Sequence, residues 1–277
     1  MKKSLILIPL LLFTISCEKL FFHPERTLFY HPETCSADPV NLIVETDENK
    51  VLHGWYFKSP HKQEKGTIFF LHGNASNIST ESVGMLWLLK EGYNILTFDY
   101  RGYGASEGKP NIKGVLHDGL EFLDGFMKSN KYSKKNLIIY GQSLGGAVAA
   151  HIARYSPYTD KIKVLILDST FTSWRSIAKE VASRNFLTWI WQYPVSWSMP
   201  KDLSTIDNLK NSKINNTIII HSTQDQLINF KNGEALFNAA IGYKTLLQDD
   251  ISKHGQIISN PRIRKELLIE LNKIIKK

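Results

Sequence analysis

The sequence predicts an α/β protein: a mostly parallel central sheet covered by helices, with a small helical cap inserted over it. Three observations predict this class. Strand-like apolar runs alternate with helix-like stretches from residue 67 to the C-terminus, as in folds whose crossover helices bury a parallel sheet on both faces. At 277 residues the chain is long enough for one large domain or two small ones, and it has no internal repeat or low-complexity linker to divide it. The run at 136–140 passes through Gly141-Gln142-Ser143-Leu144-Gly145 into the small-residue stretch Gly146-Ala147-Val148-Ala149-Ala150. That reads as strand, sharp turn and helix, with a serine at the apex.

The N-terminus reads as a targeting segment. Met1-Lys2-Lys3 is positively charged, and residues 5–15 are apolar over about the length of a signal-peptide core. The run stops at Ser16-Cys17, similar to a bacterial lipoprotein processing site, although Thr14 departs from the leucine-like residue usual there. The expected organisation is a signal peptide over 1–16, Cys17 as the lipid-bearing first residue, a tether over 17–39, and one domain over 40–277 with a cap segment at about 171–205. Ordinary signal cleavage and an uncleaved anchor are the alternatives. The run is short for a membrane-spanning helix, which needs about 20 apolar residues. With Cys17 lipidated, Cys35 has no intrachain partner, so no disulfide framework is expected. Neither cysteine has a metal-ligand neighbourhood, and neither a metal nor a cofactor is expected. The formal charge of +8 drops to about +6 without Lys2 and Lys3. The lysines are scattered and no nucleic-acid motif accompanies them.

Along the domain, residues 40–45 and 51–57 flank the polar turn Thr46-Asp47-Glu48-Asn49 and read as an opening antiparallel hairpin. A buried strand at 67–71 runs into His72-Gly73-Asn74-Ala75-Ser76, and another at 94–98 runs into Asp99-Tyr100-Arg101-Gly102. The strand at 164–168 ends on Asp168. The segment after it carries Trp174, Phe186, Trp189, Trp191, Tyr193 and Trp197. These aromatics suit a wall for an apolar group or a membrane interface, or simply the packing of small cap helices. Strand-like runs at 216–221 and 243–247 bracket a helix-like stretch at 230–240.

A serine hydroxyl is a weak nucleophile until a base activates it and an acid orients the base. With the serine on a strand–turn–helix elbow, acid and base are expected later, in the order Asp or Glu, then His. Asp225, in the loop after the 216–221 strand, is the candidate acid, with Asp168 as runner-up. His254, in the loop after the last strand, is the candidate base. Asp249 and Asp250 lie too close to His254 in sequence to reach it from a separate loop. His72, His117, His151 and His221 break the chain order. His221 reads as a strand-end packing residue, His151 as a helix-surface residue and His72 as a structural support for its loop. Two main-chain N–H groups are expected to face a developing oxyanion, those of Leu144 and Asn74.

These pieces together resemble the alpha/beta-hydrolase superfamily. The motifs that carry the resemblance are His72-Gly73-Asn74-Ala75, Phe98-Asp99-Tyr100-Arg101-Gly102-Tyr103-Gly104-Ala105-Ser106-Glu107-Gly108 and Gly141-Gln142-Ser143-Leu144-Gly145-Gly146. They are similar to those of the alpha/beta-hydrolase-domain-containing serine hydrolases, a branch with membrane-linked lipases, protein depalmitoylases and peptidase-like members. The chain departs from that pattern in Ser222 after His221 and Lys253 before His254, where relatives often carry glycine. The resemblance implies an alpha/beta-hydrolase fold and hydrolysis of an acyl ester or thioester through an acyl-enzyme on Ser143. It implies a small-molecule or lipid-like acyl substrate, with amide or peptide cleavage as the alternative. In the Asp99-Tyr100-Arg101 motif, Arg101 is expected to anchor a loop. A lipid-anchored binding protein that keeps the fold without catalysis is the reading from another class. The envelope of a bacterial cell is the expected location, with the membrane as partner through the N-terminal anchor.

Overall fold

The alternation in the sequence becomes an eight-stranded sheet in the computed structural model, which describes residues 21–29, 38–184 and 186–276. Cys17, Cys35 and the apolar run at 5–15 lie outside the described residues. The opening hairpin is β1 (Val40–Glu45) and β2 (Val51–Phe57). Then come β3 (Gly66–Leu71), α1 (Ile78–Glu81), α2 (Trp87–Lys90), β4 (Tyr93–Phe98), α3 (Ile112–Lys128), β5 (Leu137–Gln142), α4 (Leu144–Tyr155) and β6 (Ile162–Asp168). The cap follows as α5 (Trp174–Ser183), α6 (Phe186–Trp189) and α7 (Gln192–Ser198). The chain closes with α8 (Thr205–Lys210), β7 (Asn216–Ser222), α9 (Lys231–Ala239), β8 (Tyr243–Asp249) and α10 (Pro261–Ile275).

The strand order is β1-β2-β4-β3-β5-β6-β7-β8. The hairpin pairs antiparallel, β2 also pairs antiparallel with β4, and every later pairing is parallel. Because side chains alternate across a strand, the parallel strands split their apolar residues between two cores. Phe69, Leu71, Ile139 and Leu167 face α3 and α4, while Ile68, Phe70, Ile138 and Ile166 face α2 and α10. Both faces are therefore dry, which explains why these strands read as continuous apolar runs rather than alternating ones. After β3 the chain goes to one side, to β4, and then crosses to β5 on the other. Ligand crevices of open α/β sheets lie at the carboxyl ends of strands beside such a reversal. The loops after β3 and β5 meet there.

Two features differ from the sequence expectation. Residues 21–29, expected to be part of a tether, pack onto the body. Phe22 is buried, Phe21 meets Trp174 edge-on at 5.5 Å, and the Gly104 N–H donates to the Glu25 carbonyl at 2.9 Å. His151, expected on a helix surface, packs against Tyr155 with ring centroids 4.6 Å apart, and burial lowers its pKa to about 4. As expected, Arg101 is an anchor. Its guanidinium donates to the fully buried Asp118 of α3 at 2.7 Å and to Glu48 at 2.7 Å, locking the loop after β4 against the helix layer.

Arg101→Ala leaves the Asp118 carboxylate buried without its partner. Breaking a buried pair in this way costs about 3–5 kcal/mol. The expected outcome is a large drop in the urea unfolding midpoint with an unchanged transition slope.

Candidate active site

The site begins with the turn between β5 and α4. Ser143 has φ 52° and ψ −114°, a conformation that L residues rarely adopt. Such positions cost on the order of 1–3 kcal/mol and persist only where the surroundings fix them. Here the Ser143 N–H donates to the Asp168 carbonyl at 2.8 Å, and its own carbonyl accepts from Thr170 Oγ1 at 2.6 Å and from the Gly146 N–H at 3.0 Å. The flanking glycines are required by space. A Cβ on Gly141 would strike the Gly145 carbonyl, and one on Gly145 would strike the Leu71 carbonyl. The helix can thus start directly on top of the strand, and the hydroxyl is raised above the sheet edge.

The loop after β7 carries Asp225, and the loop after β8 carries His254. The structure brings both to Ser143. His254 Nδ1 lies 2.7 Å from Asp225 Oδ2, and His254 Nε2 lies 3.1 Å from Ser143 Oγ. With the imidazole neutral, Nδ1–H donates to the carboxylate and the serine hydroxyl donates to Nε2. Asp225 Oδ1 accepts the N–H groups of Leu227 and Ile228, both at 2.8 Å. Burial raises the Asp225 pKa, but the His254 hydrogen bond and charge, with those two amides, outweigh it and hold the group below the usual carboxylate value. His221 is a strand-end packing residue as expected. Its Nε2–H donates to the Ile228 carbonyl at 2.9 Å and stands 3.7 Å from Asp225 Oδ2, bracing the loop that carries the acid. Ser222 Oγ accepts the Gln224 N–H at 3.0 Å, closing the start of the loop.

Asp168 is occupied elsewhere. Its oxygens accept from Tyr140 Oη at 2.7 Å and from Ser169 Oγ at 2.8 Å, and burial raises its pKa. It supports the core beneath the turn rather than the imidazole.

Leu144 and Asn74 both line the cavity beside Ser143. Leu144 opens α4, where the first amides have no intrahelical acceptor. The β3 loop lies close to the serine, for a Cβ built on Gly73 would sit 3.8 Å from Ser143 Cβ. The Asn74 side chain is held in place: it donates to the Phe21 carbonyl at 2.6 Å and accepts from Tyr103 Oη at 2.6 Å. His72 is a support as expected. It is fully buried, with Nδ1 2.8 Å from the Gly73 carbonyl and Nε2 3.4 Å from Asp99, and burial pushes its pKa down to about 4. Asp99 accepts the Ile78 N–H at 2.9 Å at the start of α1, and burial pushes its pKa up to about 7.

The cavity holds about 410 Å³ and is mainly apolar, walled by Phe21, Phe171, Ile177, Val181 and Ile228. The cap contributes Phe171 and aliphatic side chains to this wall, not its tryptophans. Sequence reasoning missed three contributors. Phe21 and His23 line the cavity from the segment taken for a tether, and the doublet Phe21-Phe22 after the apolar run was the available signal. Glu81, at the end of α1, lines the cavity; burial raises its pKa against the opposing charge of His254 and a hydrogen bond with Ser76, and no Lys or Arg among the described residues pairs with it. The described residues that could offer a metal three ligand atoms together are Asp47, His117 and Glu121, at the surface, none of which lines this cavity. Asp47 and His117 already pair at 2.7 Å.

A strained serine, an imidazole and a buried carboxylate in one hydrogen-bonded line can move a proton from a hydroxyl as it attacks a carbonyl. Comparison with known proteins agrees with a hydrolase. The family model described as "Serine aminopeptidase, S33" matches residues 62–214, more than half of the chain. The uncharacterized protein YfhR of Escherichia coli (strain K12) is 28% identical over 244 residues, spanning 87% of this chain and 81% of that one. The lysophosphatidylserine lipase ABHD12 of Danio rerio is 32% identical over 203 residues, spanning 69% of this chain and 51% of that one. Among solved structures, the Pyrococcus furiosus esterase Pf2001 superposes with a TM-score of 0.73 at 21% identity, over 92% of this chain and 97% of that one, a likeness of fold. Elbow, sheet order and family match together place this chain in the alpha/beta-hydrolase superfamily, as a hydrolase of the family to which that serine aminopeptidase model belongs.

Proposed function

We propose that the protein is a serine hydrolase that cleaves acyl esters or thioesters through an acyl-enzyme on Ser143. The observation that carries this reading is the unbroken line Ser143–His254–Asp225 at 3.1 and 2.7 Å, opening into a largely apolar cavity. His254 Nε2 takes the hydroxyl proton as Ser143 Oγ attacks the acyl carbonyl. Asp225 holds Nδ1–H, fixing the tautomer and stabilising the imidazolium as it forms. The main-chain N–H groups of Leu144 and Asn74 receive the oxyanion, where aligned dipoles act without reorganising. As the tetrahedral species collapses, His254 gives its proton to the departing alcohol or thiol. Water then repeats the cycle, with His254 as base, and releases the acid. The apolar wall suits an acyl chain.

Cleavage of an amide by the same groups is a second reading. Glu81 favours it, because a carboxyl lining the cavity, with no Lys or Arg partner among the described residues, would pair with a free amino group on the substrate. Assays on graded-chain esters beside aminoacyl amides separate the two. The reading also takes the apolar run and Cys17 as a lipoprotein signal, with a thioether-linked lipid holding the protein at the bacterial envelope. Among the described residues no helix is long and apolar enough to cross a membrane.

A fluorophosphonate probe is expected to label the native protein at Ser143 and to leave Ser143→Ala unlabelled. Turnover of Ser143→Ala is expected to fall by about 10⁶, the scale for losing such a nucleophile. Folded native protein that takes up no probe would favour the non-catalytic binding protein.

Asp225→Asn is expected to lower kcat by roughly 10⁴, since an amide favours the wrong imidazole tautomer. Asp168→Asn, which disturbs the Tyr140 and Ser169 bonds and removes a charge that makes no direct bond to His254, is expected to show a far smaller kcat loss. The reverse ranking in parallel kinetics would reassign the acid.

Cys17→Ser is expected to move most of the protein out of the membrane fraction while leaving cleavage of a soluble ester unchanged. A hydroxyl cannot carry the thioether lipid, and each lost buried CH₂ removes about 0.8 kcal/mol of membrane affinity. Intact mass checks it: a mature protein starting elsewhere, or at Cys17 without acyl mass, means ordinary export.

A further inference from the structure

The cap leaves much of its apolar surface uncovered. Phe186 is 89% exposed, Trp189 55%, Ile190 65% and Trp197 68%. Soluble proteins rarely carry so concentrated an apolar patch without a partner. The patch reaches the mouth of the Ser143 cavity. Val181 and Leu227 line the cavity and are also exposed at its rim, and Arg184 Nη2 is hydrogen-bonded to the Leu227 carbonyl. Phe186 lies two residues beyond that arginine, and Thr188 Oγ1 donates to the Ala182 carbonyl at 2.8 Å, folding α6 back onto the end of α5.

The rim has another contributor. Phe21 lines the same cavity and stacks edge-on with Phe171 at 6.4 Å and Trp174 at 5.5 Å. The first described residues of the chain, Phe21 to His23, therefore lie at the cavity rather than at a remote edge. Cys17 precedes Phe21 by four residues, so a lipid on it begins at most about 14 Å of chain away. Basic groups flank the patch: Arg184, and Lys179 with its Nζ 4.6 Å from the Tyr193 ring. The neighbouring Glu180 is turned inward, accepting from Asn229 N–H at 3.1 Å and Asn232 Nδ2 at 3.4 Å. Tryptophan and tyrosine beside cationic groups match the interfacial layer of a lipid leaflet.

We propose that the rim of the Ser143 cavity is a membrane-docking surface, made by the exposed side of the cap and the segment entering at Phe21, and that the cavity takes its substrate, an acyl ester of a membrane amphiphile, directly from the leaflet beneath it. The substrate half rests on the reading of Ser143 as nucleophile; the docking half does not. Exposed tryptophans flanked by Lys179 and Arg184, on the same rim that the entering chain reaches at Phe21, make a leaflet the occupant.

The test uses the full chain with vesicles of phosphatidylcholine and phosphatidylglycerol. Phospholipids brominated on their acyl chains are expected to quench the cap tryptophans of the native protein. The triple variant F186S/W189S/W197S changes no cavity-lining residue. It is expected to cleave a short soluble ester at the native rate, which also reports that it folds, and to lose about ten-fold or more in hydrolysis of a long-chain ester held in the vesicles. Absence of quenching, native rates on the vesicle ester, or a native dimer that the variant converts to monomer in sedimentation would each overturn the docking surface. If Ser143 takes up no fluorophosphonate and no ester is cleaved, the chemical reading falls, and quenching still decides the surface.

Discussion

Everything at the candidate site depends on one strained backbone position. Ser143 is held at φ 52° by hydrogen bonds from three directions: β6 through the Asp168 carbonyl, the loop after β6 through Thr170, and α4 through Gly146. The strain is small beside the two dry cores that enforce it, since each buried aliphatic or aromatic side chain contributes about 1.5–3 kcal/mol. The glycines at 141 and 145 let the cores act, for any side chain there would push the helix off the strand. Once the turn is fixed, the serine stands where only loops from the carboxyl ends of other parallel strands can reach it, and Asp225 and His254 arrive on two of those loops.

Much of this was legible in the sequence because the physics that fixes it is local. The strands appear as apolar runs since both sheet faces are covered, and the observed β3 to β8 differ from those runs by only a residue or two at their ends. The elbow was legible from its glycines. Chain order pointed to Asp225 and His254, and their side chains do meet. The choice between Asp225 and Asp168 was less secure, since both follow strand ends. It turns on which carboxylate a neighbouring hydroxyl already occupies, and Tyr140, a strand residue with no visible signature, occupies Asp168.

What the sequence hid is non-local. Nothing in the short stretch around Phe21 reveals that Asn74, Asn77 and Gly104, fifty to eighty residues away, hold its carbonyls. Glu81 sits in a four-residue helix too short for a periodic pattern, so its place in the cavity follows only from where α1 is pinned by Asp99. The cap aromatics were visible as a cluster, but which of them line the cavity and which face outward depends on how three short helices fold back, and composition carries no information about that.

The contacts of residues 21–27 make this segment more than a leash. Asn74 Nδ2 donates to the Phe21 carbonyl, and Asn77 Nδ2 donates to the Glu25 and Thr27 carbonyls at 3.1 and 2.8 Å, so the loop that faces Ser143 is hung from the incoming chain. A shortened chain beginning at Val40 would lack one wall of its own cavity, and the side-chain amides of Asn74 and Asn77 would lose their acceptors. The entering segment is thus a structural part of the site, as much as the loops that follow the strands.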